Sequence, residues 1–580
     1  MRASLVAAAA VFLLTTVLAQ EPSVKGSVEG VVRNAKNDDP IVGARVTLAS
    51  GSAPAANRGG VPTVLPIPPV TTDGQGRFAF KDVDPGDYRM TIQSNGYALQ
   101  EYGQKVFPGQ GTPIHVIARQ PTNGLVVRLT PTGTLTGRIR DTNGLPAADA
   151  PVQLAKFAYD ANGQRSLSAV SFTRTDDRGD YRFHFVTPGR YFVGAGNLPG
   201  APQAGAGVLN TTGTPNGGQQ VYSFVFFPGV AEVEQARIVD VPSGGELNGI
   251  DIKVDRRRQY AIRGRVVDAK TGQPPANVSV SLNFPPGAAT GMASSGTSYD
   301  AATGNFEWGR VVPGLYGVVA TVRPPLGQPG GTAGPAAGPS FVAYTVIRIV
   351  DSDIDNLLLT IDSFSMNGKY NLEGGAVLPD ASLRALRTEL HPFRNDSTST
   401  VTTARAYSRP VNPDGSFAID GVLKGTHRLV VGSGLPLPPG FYVKAARLGA
   451  ADVLNGPMLL DGPVSAVLEI LLSSKAGQVE GMVSDERGRA VEINQVVLIP
   501  DQHRERTELF KLVTSDSTGR FTISNVAPGE YKIFAWEALE AYSYYDPEVL
   551  KRYESLGKAI RVEESSKQKV DLRIIPAAVP

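Results

Sequence analysis

One pattern of residues recurs five times along the chain. In its first copy Gly76 is followed by Phe78 and Phe80, and then by a valine, a Pro-Gly pair and Tyr88. Four copies share one spacing: Gly76, Pro85, Gly86 and Tyr88; Gly179, Pro188, Gly189 and Tyr191; Gly304, Pro313, Gly314 and Tyr316; Gly519, Pro528, Gly529 and Tyr531. Repetition of this kind indicates an array of similar units rather than one large domain.

The fourth copy along the chain has diverged. It keeps Gly415, Phe417 and Gly425, but Lys424 stands where the proline is expected and His427 where the tyrosine is expected. We interpret it as a drifted copy of the same unit.

The pattern is typical of β-structure. A glycine opens a tight turn, and aromatic residues two positions apart then point to one face of a strand. The Pro-Gly pair predicts a second tight turn, which we expect to close a hairpin. A glycine between alternating apolar residues predicts the first strand of a unit, at Gly30, Gly137, Gly264 and Gly481. The predicted fold class is therefore all-β, a tandem array of about five immunoglobulin-like or transthyretin-like β-sandwich domains.

Apolar segments that end each unit give the domain boundaries. They predict repeats 1 to 5 at 25–131, 132–256, 257–362, 363–474 and 475–580, of which repeat 4 is the divergent one, and they follow a signal peptide predicted at 1–19 from the N-terminal residues. One short helix is predicted near the C-terminus, with Asp546 as its cap, Pro547 at its first position and Gly557 after its end.

The N-terminus predicts export. Arg2 precedes an apolar run of residues 5–18, and small residues precede a cleavage site after Ala19. The alternative is a membrane anchor, for which the run is short because a spanning helix needs about 20 apolar residues. We expect no membrane span after signal cleavage, and a location in the periplasm, at the cell surface or outside the cell.

Charge and residue types exclude several functions. A formal net charge of +2 argues against nucleic acid as a partner. The chain has no cysteine, and none of its five histidines has a glutamate three residues later, as a zinc carboxypeptidase site would require. No Gly-x-Ser-x-Gly motif is present either. We therefore expect no enzyme activity, no catalytic residues, no cofactor and no metal site.

Carboxylates precede the turn glycines of several repeats, namely Asp73, Asp176, Asp177, Asp414 and Asp516. Such a carboxylate either binds calcium or accepts hydrogen bonds from its own turn. We favour the second interpretation.

Two aromatic runs are candidates for ligand contact. Tyr542, Tyr544 and Tyr545 lie beside the predicted helix, where they could stack on a sugar ring or anchor a protein partner. Packing at the end of a sandwich is the alternative for these tyrosines. For the second run, residues 222–227, we favour packing.

The strand glycines, the turn Thr72-Asp73-Gly-Gln-Gly76-Arg-Phe78 and the Val-x-Pro-Gly-x-Tyr pattern together resemble the carboxypeptidase regulatory-like domain. The resemblance implies a seven-stranded transthyretin-like sandwich, in a group that includes carbohydrate-binding-like folds, and tandem arrays in secreted bacterial proteins. It implies sugar binding, adhesion or spacing, with a polysaccharide or an envelope protein as partner. The alternative is an accessory subunit of an exported peptidase or an envelope transport system. The oligomeric state stays open.

Overall fold

The computed structural model describes residues 25–50, 67–107, 109, 111–163, 165–197, 220–283, 295–297, 299–322, 341–392, 406–432, 437–491 and 495–577. The predicted signal peptide lies outside them. The described residues form two compact units, of which the first contains those up to Gly103 together with Gly111–Thr130, and the second contains the remainder.

Repeat 1 folds as two facing sheets. Its strands are β1 (Gly26–Asn34), β2 (Arg45–Ser50), β3 (Val70–Thr71), β4 (Arg77–Val83), β5 (Gly86–Gln93), β6 (Gln100–Glu101), β7 (Ile114–Val116) and β8 (Pro121–Leu129). One sheet has the order β4-β1-β8 and the other β3-β2-β5-β6, with β7 also on β5. Side chains from both sheets, such as Phe80 and Ile92, fill one shared core.

Repeats 2 and 3 repeat this arrangement. Repeat 2 contains β9 (Gly133–Asp141), β10 (Pro151–Tyr159), β11 (Arg165–Arg174), β12 (Asp180–Val186), β13 (Gly189–Ala195), β14 (Gln220–Tyr222), β15 (Val225–Phe226), β16 (Val239–Val241), β17 (Glu246–Leu247), β18 (Ile252–Val254) and β19 (Arg256–Arg258). Repeat 3 contains β20 (Tyr260–Asp268), β21 (Val278–Asn283), β22 (Ser295–Thr297), β23 (Asn305–Val311), β24 (Gly314–Val322), β25 (Phe341–Ile349) and β26 (Ile354–Ile361).

Repeat 4 differs because its strands join into one nine-stranded sheet. It contains β27 (Phe364–Leu372), α1 (Asp380–Ala385), β28 (Thr388–Pro392), β29 (Ala406–Ser408), β30 (Ser416–Val422), β31 (Gly425–Val431), β32 (Tyr442–Leu448), β33 (Ala451–Asp452), β34 (Met458–Leu460) and β35 (Leu468–Ser473). The link is β29, which pairs with both β28 and β30. The six-residue helix α1 was not predicted from the sequence.

Repeat 5 returns to two separate sheets. It contains β36 (Gly477–Ser484), β37 (Gln495–Pro500), β38 (Lys511–Thr514), β39 (Arg520–Val526), β40 (Gly529–Trp536), α2 (Pro547–Tyr553), β41 (Lys558–Val562), β42 (Lys567–Lys569) and β43 (Leu572–Arg573). The helix α2 is the one predicted near the C-terminus. The all-β fold class is confirmed.

One topology underlies all five repeats. The first strand of each repeat pairs antiparallel with the strand that carries the aromatic pattern and parallel with the strand that closes the repeat, as β1 does with β4 and β8. The same pairings recur for β9, β20, β27 and β36. Parallel neighbouring strands need a long crossover connection. In each repeat the chain therefore crosses the sandwich before its closing strand pairs with the first strand.

The first-strand glycine lies directly opposite an aromatic residue in every repeat. The pairs are Gly30 with Phe78, Gly137 with Tyr181, Gly264 with Phe306, Gly368 with Phe417 and Gly481 with Phe521. A Cβ added to Gly30 would lie 2.7 Å from Cζ of Phe78 and 2.4 Å from the carbonyl oxygen of Leu125. Glycine is needed here because the aromatic ring and the closing strand occupy the space of a side chain.

The Pro-Gly turn does not close a hairpin, and that prediction is wrong. In repeat 1 the pair Pro85-Gly86 connects β4 to β5, which belong to opposite sheets and do not pair with each other. The physical reason is burial. Phe78 and Phe80 on β4 and Tyr88 on β5 all point into the same core, so their two strands must face each other across it.

The tyrosine that follows each Pro-Gly pair closes this inter-sheet turn. Its hydroxyl donates to the backbone carbonyl four residues earlier, at 2.9 Å for Tyr88, 2.6 Å for Tyr191, 2.6 Å for Tyr316 and 2.8 Å for Tyr531. All four rings are buried. The motif is thus a structural lock between the two sheets, similar to the tyrosine corner of other sandwiches.

Candidate functional site

The three tyrosines beside α2 belong to a segment that covers the outer face of the second sheet of repeat 5. Tyr542 has the left-handed conformation, at φ 61°, and precedes a single 3-10 turn, Ser543–Tyr545. Asp546 then caps α2 by accepting a hydrogen bond from the backbone N–H of Glu548 at 2.9 Å, with Pro547 at the first helical position. This short-range geometry follows the predicted capping pattern.

The structure places the tyrosines at different depths. Tyr544 is buried, with 3% of its surface exposed, whereas Tyr542 and Tyr545 are half-buried. Tyr544 and Tyr545 both lie against Phe510, with ring centroids 6.3 Å and 4.8 Å from it. Burial raises the pKa of Tyr545 to about 12. Tyr544 is thus a core residue, and only its two neighbours have surface left for a ligand.

This tyrosine segment also contacts repeat 2. The Tyr545 hydroxyl donates to the carbonyl of Ala161 at 3.3 Å, and its ring lies 6.4 Å from that of Tyr159. Nearby, Lys156 forms an ion pair with Glu540 at 2.7 Å. The second unit therefore joins repeats that are far apart in the chain, a contact that no local sequence pattern predicts.

Repeats 4 and 5 are held together by side chains that bond across their junction. Asn525 donates to the carbonyls of Leu437 and Pro438, at 2.8 Å and 3.0 Å, and accepts from the N–H of Gly440 at 2.7 Å. Lys444 of repeat 4 bonds Glu564 of repeat 5 at 2.6 Å.

A cavity of about 410 Å³ lies where repeats 2, 4 and 5 meet. It opens between β38 and β39 of repeat 5, and its wall includes residues 161–162 of repeat 2 and Val430, Tyr442 and Val443 of repeat 4. All three tyrosines of the segment contribute to its lining, together with Phe510 and Lys511. The structure thus brings the predicted tyrosines to a concave site.

The charged side chains of this cavity differ in whether they have hydrogen-bond or ion-pair partners. Arg506 donates to the carboxylate of Glu508 at 2.7 Å and to the side-chain carbonyl of Asn455 at 2.8 Å. Lys511, by contrast, makes no hydrogen bond or ion pair with any residue in the described ranges. Burial lowers the pKa of Lys511, and the charge of Glu508 opposes that change only in part.

Lys511 is directed toward the interior side of its strand. Residues two apart share a face, so Lys511 lies on the same face of β38 as Val513, which packs against the core of repeat 5. Leu512, between them, is exposed. Sequence reasoning missed Lys511 because an alternating strand shows which residues share a face but not which face is covered.

The turn aspartates accept hydrogen bonds from residues of their own turns. Asp73 accepts from the N–H groups of Gln75 and Arg77 at 2.9 Å and 2.8 Å, and Asp176 and Asp516 accept in the same way. Asp414 accepts from the N–H and hydroxyl of Ser416. The backbone hydrogen bonds lower the pKa of Asp73, and a hydrogen bond from the Thr518 hydroxyl, together with the backbone bonds, lowers the pKa of Asp516. Asp177 lies exposed in its turn. Among the described residues no group of acidic or histidine side chains could hold a metal ion.

The second aromatic run is packed, in line with the favoured interpretation. Phe226 and Phe227 are buried, and Tyr222 and Phe224 lie half-buried against the two clusters of apolar residues in repeat 2.

Comparison with known proteins bears first on repeat 1. Residues 27–119 match the family model of the carboxypeptidase regulatory-like domain. The resemblance is confirmed there. No curated protein matches the chain.

Several solved structures share a weak overall similarity with the chain. The streptococcal ancillary pilin is 10% identical, with 54% of this chain and 98% of that chain covered and a TM-score of 0.20. The shaft pilin SpaA from Lactobacillus rhamnosus GG is 12% identical, with 40% and 96% covered and a TM-score of 0.18. The Bacillus anthracis TIE protein is 10% identical, with 75% and 72% covered and a TM-score of 0.14. Scores this low carry no functional argument.

Within the described ranges, neither helix has the length and apolar character that a membrane-spanning helix needs.

Proposed function

We propose that the chain is an exported, non-catalytic scaffold that binds a partner of the cell envelope, with polysaccharide as the partner class. The observation that carries this proposal is the set of hydrogen bonds by which Asn525 and Tyr545 attach repeat 5 to repeats 4 and 2. A scaffold needs such contacts because they fix the orientation of modules that a flexible linker would leave free.

The chemistry of the turn carboxylates supports a non-catalytic role. Asp73 and Asp516 each accept two backbone hydrogen bonds, which stabilises their ionised form. A general acid or base needs a pKa near the working pH. The hydrogen bonds of the turns move the pKa of these carboxylates away from that pH and hold their side chains in place.

The aromatic lining of the cavity supports a sugar as ligand. Tyr542 and Tyr545 keep part of their surface exposed beside it, and aromatic rings offer the flat apolar faces on which sugar rings stack. The carboxypeptidase regulatory-like resemblance implies the same class of ligand. No observation favours the accessory-subunit alternative over this function.

Rigidity of the scaffold is tested by spin labels. The chain has no cysteine, so Val170→Cys in repeat 2 and Arg487→Cys in repeat 5, both exposed, introduce two unique label sites. Double electron–electron resonance on the mature chain should give one narrow distance distribution. A broad distribution would show independent repeats and contradict the scaffold.

Binding and export are tested separately. The mature chain should bind envelope polysaccharides on a glycan array. If it binds no glycan on the array and instead captures an envelope peptidase, the accessory-subunit alternative is favoured. N-terminal sequencing of the exported chain should place Gln20 first.

A further inference from the structure

We propose that the tip of a hairpin in repeat 2 is a releasable cover over the tyrosine segment of repeat 5. The tip consists of residues 160–163, which lie between β10 and β11. While it is docked, it occupies part of the ring surface of Tyr545, and a sugar gains that surface only when the tip leaves. This inference rests on the proposed function and names how access to its site is controlled.

The tip has a shape of its own. The strands β10 and β11 pair along their length, as far as Tyr159 opposite Arg165. Beyond them the carbonyl of Asp160 accepts from the N–H of Gly163 at 3.0 Å, and the Asp160 carboxylate accepts from the N–H of Asn162 at 2.9 Å. Because these bonds lie within repeat 2, the tip keeps its shape whether or not it contacts repeat 5.

The docked tip lies against the ring of Tyr545. The Tyr545 hydroxyl donates to the carbonyl of Ala161 at 3.3 Å, and the ring of Tyr159 lies 6.4 Å away. A Cβ added to Gly163 would lie 3.1 Å from Cδ1 of Tyr545 and 2.7 Å from Cγ2 of Thr507, so the backbone of the tip packs on both side chains. The tip therefore covers ring surface on which a sugar would stack.

The described bonds that hold the tip are weaker than those at the junction of repeats 4 and 5. The hydrogen bond from Tyr545 is long, and the ion pair between Lys156 and Glu540 is partly exposed on both sides. Exposed ion pairs contribute little and are screened by salt. Asn525, by contrast, makes three hydrogen bonds of 2.7 to 3.0 Å to repeat 4. Of the two contacts of repeat 5, the one with the tip therefore opens first.

Release of the tip leaves no charge buried. Lys156 and Glu540 both keep part of their surface in water while the tip is docked, so each is hydrated when the two separate. Repeats 2 and 5 are connected in the chain through repeats 3 and 4, so the contact opens while every repeat stays folded. Without a ligand the docked tip holds the orientation that a scaffold needs.

The first test reverses one charge of the ion pair. Lys156→Glu places two carboxylates together, and in the chain labelled at Val170→Cys and Arg487→Cys it should add a longer distance to the distribution. The same change should raise the apparent affinity for the envelope polysaccharides of the glycan array by about tenfold, if the site is open in about a tenth of native chains. Lys253→Glu makes the same charge change at an exposed position of repeat 2 and is the matched control.

Two further measurements assign the effect to this contact. The double variant Lys156→Glu with Glu540→Lys restores opposite charges and should return both the distance and the affinity to their native values. With the ion pair intact, about 1 M NaCl shortens the Debye length to about 3 Å and should populate the longer distance.

The possible failures are distinguishable. One short distance both in Lys156→Glu and at high salt, or a longer distance with unchanged affinity, would overturn the inference alone. If neither the native chain nor Lys156→Glu binds any glycan of the array, the polysaccharide proposal fails, and the control of access fails with it. A broad distribution in the native chain at low salt would contradict both the scaffold and the docked tip.

Discussion

His427 donates the N–H of its Nε2 to the carbonyl oxygen of Leu423 at 2.7 Å, in the place where the other four repeats put a tyrosine hydroxyl. A carbonyl oxygen can only accept, so the bond assigns the proton of the neutral ring to Nε2. The divergent repeat therefore keeps the lock between its sheets while changing the residue that makes it.

This histidine makes the stability of repeat 4 depend on pH. Burial lowers the pKa of His427, and its Nδ1 is buried without a partner in the described structure. The unfolded chain then takes up a proton near pH 6.5, whereas the folded repeat resists it. Stability is full above that pH and is lost as the pH falls below it.

We expect calorimetry to show this loss between pH 7.5 and 5.5 in the native chain. His427→Tyr should reduce the dependence, because the tyrosine hydroxyl does not titrate in this range. Since it also removes the unpaired buried nitrogen, it should stabilise the repeat by about 1 kcal/mol. An equal dependence in both proteins would rule out His427 as the source.

The tyrosine lock has a measurable strength. Tyr531→Phe removes the hydroxyl that donates to Ala527 and should destabilise repeat 5 by about 1 kcal/mol, the usual net value of one hydrogen bond. Urea unfolding can be followed by Trp536 on the same strand, in a Trp308→Phe background that leaves it as the remaining tryptophan. Tyr407→Phe, at an exposed side chain, is the control and should have no effect.

The first-strand glycine is the most sensitive position of repeat 1. Gly30→Ala would push a Cβ to within 2.4 Å of a backbone oxygen and should cost about 2 kcal/mol, as overpacking of a core does. Gly74→Ala has open space around its Cβ and should be neutral or slightly stabilising. Hydrogen exchange of peptides from β1 and β4 in the full chain should accelerate in the first variant and stay unchanged in the second.

The recurring pattern was enough to predict the strands and the turns, and Asp546 and Pro547 were enough to predict the C-terminal helix, because each of these features depends on neighbours within a few residues. The partners of those strands were harder to predict. Whether Phe80 and Tyr88 share a sheet depends on which faces are buried, and the hairpin prediction failed for that reason. The contact of Tyr545 with Ala161 joins residues 384 positions apart, so no local periodicity records it.

Acid should loosen the junction of repeats 4 and 5. Hydrogen bonds from Lys444 and Tyr442 lower the pKa of Glu564 to about 2. A carboxylate with a lowered folded pKa contributes stability that is present above its unfolded value, near 4.5, and is lost as the pH falls toward 2.

Glu564→Gln should reproduce this loosening at neutral pH. Spin labels at Asp461→Cys and Arg487→Cys, one in each repeat, should report a broader distance distribution in this variant than in the native chain. Glu563→Gln changes an exposed neighbouring carboxylate and should leave the distribution narrow. If the two variants behave alike, the bond from Lys444 does not hold the junction.

Single substitutions of the three tyrosines in the segment should have three different effects. Tyr544 is buried against Phe510, so Tyr544→Ala should destabilise repeat 5 by about 3 kcal/mol, as loss of a core aromatic does. Tyr545→Phe keeps the ring but removes the donor to Ala161, and it should broaden the label distance between repeats 2 and 5 while folding stays intact.

Tyr542→Ala is the change that isolates ligand contact. The Tyr542 ring lies 6.2 Å from that of Tyr544 at the half-buried edge of the apolar cluster, and its hydroxyl has no hydrogen-bond partner in the described structure. Its removal should therefore weaken polysaccharide binding by about tenfold, since one aromatic contact contributes about 1 to 1.5 kcal/mol. Hydrogen exchange in α2 should remain native. Unchanged binding together with faster exchange in α2 would show that Tyr542 serves the fold of this segment and not a ligand.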